Sequence, residues 1–121
     1  MEFYRFDKMT GKPITKFNSD FVLSRIIKTN TQAHIGCMYL EKDGHVGYHQ
    51  AGLPQLLLIV GGSGWVRGEG ETKYPVNEGD IVFWESGEWH ETTSDNGLTA
   101  IIIESEAISS STLLLEKKEI C

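Results

Sequence analysis

The chain is sparing with the residues that staple or charge a small protein: two cysteines, three prolines and eleven lysines and arginines in 121 residues. Cys37 and Cys121 are too few for a disulfide framework and lack the paired spacing of a structural zinc site. Both are expected to be thiols in a reducing compartment, Cys37 as a small core residue and Cys121 as a tail residue. Seventeen acidic residues against eleven basic ones give a net charge of −6, and the basic residues form no stripe. Such a surface repels a phosphate backbone, so nucleic acid is not an expected partner. Long hydrophobic runs are missing too: the longest, residues 56–60 and 100–103, fall far short of the ~20 residues that cross a bilayer. The first seven residues carry neither the basic flank nor the apolar stretch of a secretory leader. The expectation is a cytoplasmic protein with no membrane partner.

Helical periodicity is also scarce. No window of eleven or more residues in the middle of the chain sustains apolar positions at i, i+3, i+4 and i+7. The abundant residue is glycine, thirteen of them, and glycine-containing turn signals recur from Gly11 to Gly97. Between the signals lie short runs rich in β-branched and aromatic residues, at 21–27, 33–40, 56–60, 65–66, 81–84 and 98–104, which read as strands. The fold class expected is all-β, as a sandwich, barrel or jelly roll, in one domain. Residues 1–20 have weak strand signals and are expected to form an arm packed on the barrel of residues 21–121 or on a partner subunit. Residues 105–121 are expected to form a final edge strand or a short helix.

The glycine-dense stretch from Gly61 to Gly70 lacks the Lys-Ser/Thr of a phosphate loop and is not followed by a helical pattern; it is expected to be a hairpin turn. Of four histidines, His34 and His45 are expected at the surface or in loops. His45 and His49 are four residues apart, roughly 13 Å along a strand, so at most one of them can bind a given ion.

One longer pattern remains. Gly79 is followed after five residues by Glu85-Ser86-Gly87, then by His90 and Ser94. This resembles the second cupin motif, with Glu85 in place of its proline and Ser94 in place of its asparagine. Upstream, Gly47, His49, Gln55 and Gly62 resemble a degenerate first cupin motif, with one of its paired histidines lost and its glutamate replaced by glutamine. The chain is thus similar to a small single-domain cupin, which implies a double-stranded β-helix, a jelly-roll barrel with a pocket between its sheets.

The resemblance implies metal ligands at His49, Gln55 and His90. A divalent ion (Zn, Fe, Mn or Ni) would be weakly held there, because the usual carboxylate charge is absent unless Glu41 or Glu91 approaches. Aromatic residues offer a second theme. Tyr39, Tyr48, Trp65, Trp84 and Trp89 lie in or beside expected strands, and indole rings suit a concave pocket for a small organic ligand such as a sugar or an aromatic acid. The expected ligand-pocket residues are Tyr39, Trp84, Trp89 and Ser94; Glu85 either caps its turn or reaches the pocket.

Two functions stay open: a small-molecule-binding cupin with a divalent-metal site, or a metal-dependent enzyme, such as a dioxygenase or isomerase, on a small organic substrate. A third reading is a free-standing sensor resembling the ligand-binding arm of arabinose-type transcription regulators, which is not expected to read DNA itself because no helix-turn-helix pattern is found. The run 56–60 is apolar on both strand faces, so the outer face is expected to be covered by the N-terminal arm or by a second subunit in a homodimer.

Overall fold

The structure, a computed structural model, describes residues 1–119. Its strands are β1 (Glu2–Arg5), β2 (Lys12–Ile14), β3 (Phe21–Leu23), β4 (His34–Leu40), β5 (His45–Gln50), β6 (Gln55–Arg67), β7 (Tyr74–Asn77), β8 (Asp80–Trp84), β9 (Trp89–Thr93), β10 (Leu98–Glu104) and β11 (Glu116–Lys118), with one 3-10 turn at Lys16–Asn18. All named pairings are antiparallel. One sheet runs β11-β1-β8-β6-β10-β4, and a second face is built from β5, β9, the far half of β6, and β7.

The pivot is β6. Its first half pairs with β8 and β10 and its second half with β7 and β9, so one strand serves both sheets. The change of sheet occurs at the glycines expected to form a hairpin turn. Instead of reversing, the chain bends: Gly62 has φ +76°, and a Cβ there would lie 2.2 Å from the Gly97 carbonyl oxygen. A register shift in the β6–β10 ladder falls at the same place, between Thr99 and Ala100. Glycine marks a tight turn and a barrel corner by the same physics, since both need a backbone free of Cβ; the strand pairing on either side distinguishes them.

Alternation sorts the apolar residues of the larger sheet into two clusters. Leu57, Ile59, Val82, Trp84, Leu98, Ala100 and Phe3 face the barrel interior. Leu56, Leu58, Ile81, Phe83 and Tyr4 face the other way and are covered by Ile108, Ile26, Ile27, Leu113 and Leu115 of the same chain. The outer face that suggested a second subunit thus has cover from the chain's own segments. Within residues 1–20, β1 joins the larger sheet, with Phe3 and Tyr4 buried between β8 and β11. Of the expected strand at 21–27, only β3 forms, paired with β2 apart from the barrel, while Ile27 makes a lone bridge to Leu113. Cys37 is exposed rather than in the core, because its side chain falls on the outer face of β4; Cys121 lies outside the described residues.

Candidate functional site

A cavity of about 90 Å³ sits inside the barrel, lined by Met38, Val46, His49, Gln55, Leu57, Trp84, His90, Thr92 and Ile102. The local sequence explains how its polar groups arrive. The turn before β9 uses Gly87 at φ +90°, and the chain then enters β9 with His90 and Thr92 on the inward face and Glu91 outward. His49 comes from β5, directly opposite His90 in the β5–β9 ladder, just after an irregularity at Gly47 and Tyr48. Gln55 opens β6, two residues before Leu57, and therefore lines the same cavity.

The two imidazoles face each other with ring centroids 4.4 Å apart and planes inclined at 56°. Their Nδ1 atoms are turned to backbone carbonyls: His49 Nδ1 donates to Gly47 O at 2.7 Å, and His90 Nδ1 lies 3.4 Å from Glu88 O. A carbonyl can only accept, so these contacts favour the Nδ1–H tautomer and leave each Nε2 lone pair available. His90 is buried and stacks on Trp84 at 4.4 Å. Burial holds its pKa below the usual imidazole value, the Glu88 carbonyl opposes that shift, and His49 adds to it. His49 itself is exposed, which places the cavity's open side along β5.

The other expected site residues lie elsewhere. Tyr39 is on the outer face of β4 and 70% exposed. Trp89 neighbours the inward His90 and so points outward, where it stacks on Tyr48 at 5.3 Å; Arg67 covers Tyr48 at 4.2 Å and pairs with Glu91 at 2.8 Å. That ion pair holds Glu91 on the outside, and Glu41 does not line the cavity. Among the described residues, no group of three or more His, Cys, Asp or Glu side chains could hold a metal.

Ser94 is buried, but its hydroxyl donates to Ser63 O at 2.6 Å and accepts from Gly97 N at 2.8 Å, tying a turn to β6. Glu85 is exposed, and its backbone N–H donates to the Glu88 carboxylate at 3.2 Å; Glu88, not Glu85, caps that turn. His34 and His45 are exposed. The cavity residues that sequence reasoning passed over, Met38, Val46 and Ile102, are apolar. Leu57 and Thr92 follow from Gln55 and His90 by the period of two, whereas Met38, Val46 and Ile102 carry no sequence signal of a site.

This barrel, with two histidines on adjacent strands facing an interior cavity, is a small cupin. Solved structures similar to it include a cupin-like protein from Thermotoga maritima (TM-score 0.59, 13% identity, covering 88% of this chain and 80% of that one). An RmlC-like cupin from Shewanella frigidimarina matches with TM-score 0.58 and 18% identity, covering 72% and 78%. The model of the AraC-like ligand binding domain matches residues 38–114, and the chain belongs to that family. Among curated proteins, an (R)-mandelonitrile lyase from Granulicella tundricola is 29% identical over 66 residues, 53% of this chain and 50% of that protein, so this chain spans about half the length of that relative. No helix is long and apolar enough to cross a membrane among the described residues.

Proposed function

We propose that the barrel cavity binds a small organic ligand beside a divalent metal held by Nε2 of His49, Nε2 of His90 and the amide oxygen of Gln55. The observation that carries this reading is the facing pair of imidazoles, each with Nδ1 turned to a backbone carbonyl, on the wall that also contains Gln55. The donor set fits a metal such as Zn, Fe, Mn or Ni, which imidazole suits, and it is neutral, so the ion would be weakly held. When bound, the metal would supply Lewis-acid polarisation of a ligand oxygen. The chain's own residues set the rest. Trp84 fixes the His90 ring by stacking, and its buried indole N–H has no acceptor among the described residues, which suits a wall built to meet an acceptor. Leu57, Ile102 and Val46 keep the floor apolar. At about 90 Å³ the cavity is well below the ~300–1,000 Å³ typical of drug-sized ligands, so only a small molecule, or one polar end of a larger one, enters it.

The family's ligand-binding description supports the binding reading. The similarity to a mandelonitrile lyase favours one alternative, a metal-dependent enzyme on a small organic substrate. Metal content of untagged protein by plasma mass spectrometry tests the shared premise. Metal in the wild type that is lost in both His49→Ala and His90→Ala is expected; a wild type that refuses added Zn²⁺, Fe²⁺, Mn²⁺ and Ni²⁺ refutes it. Turnover of (R)-mandelonitrile by the loaded protein, read as aldehyde release, would favour the enzyme over the binding protein.

A further inference from the structure

Strand β5 carries His49, yet it is held on one side only: among the described residues it pairs with β9 and with no other strand. Its ladder also has a gap. Val46 stands opposite Thr92 and His49 opposite His90, so two residues of β5, Gly47 and Tyr48, face the single residue Glu91 of β9. This is a β-bulge, and it decides where the histidine points. Val46 and His49 both line the cavity although they are three residues apart. Strict alternation puts residues an odd number apart on opposite faces, and the extra residue at the bulge brings both inside. Without the bulge, His49 would turn to the outer face and Tyr48 would take the inward position. The contact of His49 Nδ1 with Gly47 O spans the same bulge, so the tautomer of the ring reports on it.

The outer face shows what holds the bulge. Tyr48, one of the two bulged residues, stacks on Trp89 with ring centroids 5.3 Å apart and planes inclined at 23°. The Arg67 guanidinium lies over the Tyr48 ring at 4.2 Å, and Arg67 Nε donates to the Glu91 carboxylate at 2.8 Å. Glu91 is the residue the bulge faces, and Arg67 is its partner on β6. These side chains thus join β6, β9 and β5 at the point where the β5–β9 ladder is interrupted. We propose that Arg67, Tyr48, Trp89 and Glu91 form an outer-face clamp that fixes the β5 bulge and so sets His49 opposite His90. None of the four lines the cavity, so they are positioning residues. The inference rests on the proposed function only for what the ring would hold; where the ring points is read without any ion.

The test therefore begins with metal-free full chain, at a pH where imidazoles are neutral. Long-range nitrogen–proton NMR correlation spectra, with His49→Gln to assign the resonance, should show His49 protonated at Nδ1 in the wild type. Tyr48→Ala should move it towards the tautomer mixture of an imidazole free in solvent. Tyr48→Phe retains the stack and should match the wild type. Trp65→Ala removes an equally exposed ring on β6, outside this stack, and should leave the His49 resonance in place whatever it costs in stability. Zn²⁺ affinity by chelator competition should fall about tenfold to a hundredfold in Tyr48→Ala and stay nearly unchanged in Tyr48→Phe and Trp65→Ala. Arg67→Met is the second variant if Tyr48→Ala fails to fold, and should move the same resonance in the same direction. A wild-type His49 that lacks the Nδ1 proton, a resonance unmoved by Tyr48→Ala, or one moved as far by Tyr48→Phe or Trp65→Ala overturns the inference. A wild type that binds no Zn²⁺ while its His49 resonance responds as expected supports the clamp and overturns the proposed function alone.

Discussion

Two serine hydroxyls of this protein make nearly the same hydrogen bond and are expected to be worth very different amounts. Ser94 Oγ donates to Ser63 O at 2.6 Å, and Ser86 Oγ donates to Gly52 O at 2.8 Å. Ser86 is exposed, so water takes the place of its hydroxyl in Ser86→Ala, and the loss should stay within about 0.5 kcal/mol. Ser94 is 2% exposed, and its oxygen also accepts from Gly97 N at 2.8 Å. Ser94→Ala strips one acceptor and one donor of their partner in a place water reaches poorly. At about 1–3 kcal/mol for an unsatisfied buried group, with partial relief at the less buried Gly97, the total should be about 2–4 kcal/mol. For a domain of this size that is a fall in Tm of about 10 °C. Urea titration and thermal melts of the two variants beside wild type measure the difference. Equal small losses in both would refute the reasoning. So would a Ser94→Ala protein with unchanged stability and impaired metal or ligand binding, because Ser94 would then act on the site rather than on the turn.

Two further outcomes follow from the charge of the cavity. Gln55→Glu returns a negative charge to a neutral donor set. At an effective dielectric of 20, a carboxylate ~4 Å from a divalent ion gains about 8 kcal/mol, and desolvation takes back several, leaving roughly a tenfold to thousandfold rise in affinity by chelator competition; unchanged or weaker binding would contradict the assigned role of Gln55. Burial lowers the His90 pKa in the fold. The unfolded chain therefore takes up a proton as pH falls through ~6.5 while the folded chain resists it, so stability is full above that pH and declines below it until the folded pKa is reached. With chelator present, the urea midpoint should drop between neutral and mildly acidic pH, and His90→Gln should flatten that drop; an equal slope in both proteins would remove His90 as its cause.

Much of the fold follows from alternation and turn chemistry, and the departures have physical causes. β8 and β10 lie where their β-branched runs indicate, because both faces of these strands are covered, fully in β8 and partly in β10, and apolar residues fill nearly every position. β5, with two histidines, a glycine and a glutamine in six residues, has no such composition, and only its pairing with β9 makes it a strand. The hydrophobic residues of β1 are two, Phe3 and Tyr4, one to each core cluster. A four-residue window cannot reveal a strand whose stability comes from neighbours more than seventy residues away, at β8 and β11. Phe21, Val22 and Leu23 illustrate the reverse: their strand propensity is satisfied by β2 alone, and all three remain exposed.

The same distinction governs the cavity. His90 fixes a parity: if it faces inward, Thr92 does too, and Trp89 and Glu91 face outward. That rule puts Trp89 and Glu91 on the far side of the sheet from His90, against the expectation that Trp89 lines the pocket and that Glu91 could approach an ion there. In the structure Glu91 is held there by Arg67. Parity within β5 is harder to read, because the irregularity at Gly47 and Tyr48 changes which residue follows which face. The main-chain carbonyl of residue 47 accepts the Nδ1–H of His49, a contact that does not depend on the side chain at 47, where a Cβ would meet nothing within 4 Å. A cupin-like motif that lost one imidazole at Gly47 and one negative charge at Gln55 thereby keeps the orientation of the remaining imidazole. The cavity combines oriented nitrogen donors with no net charge, so the ion of the proposed function would be weakly held and exchangeable.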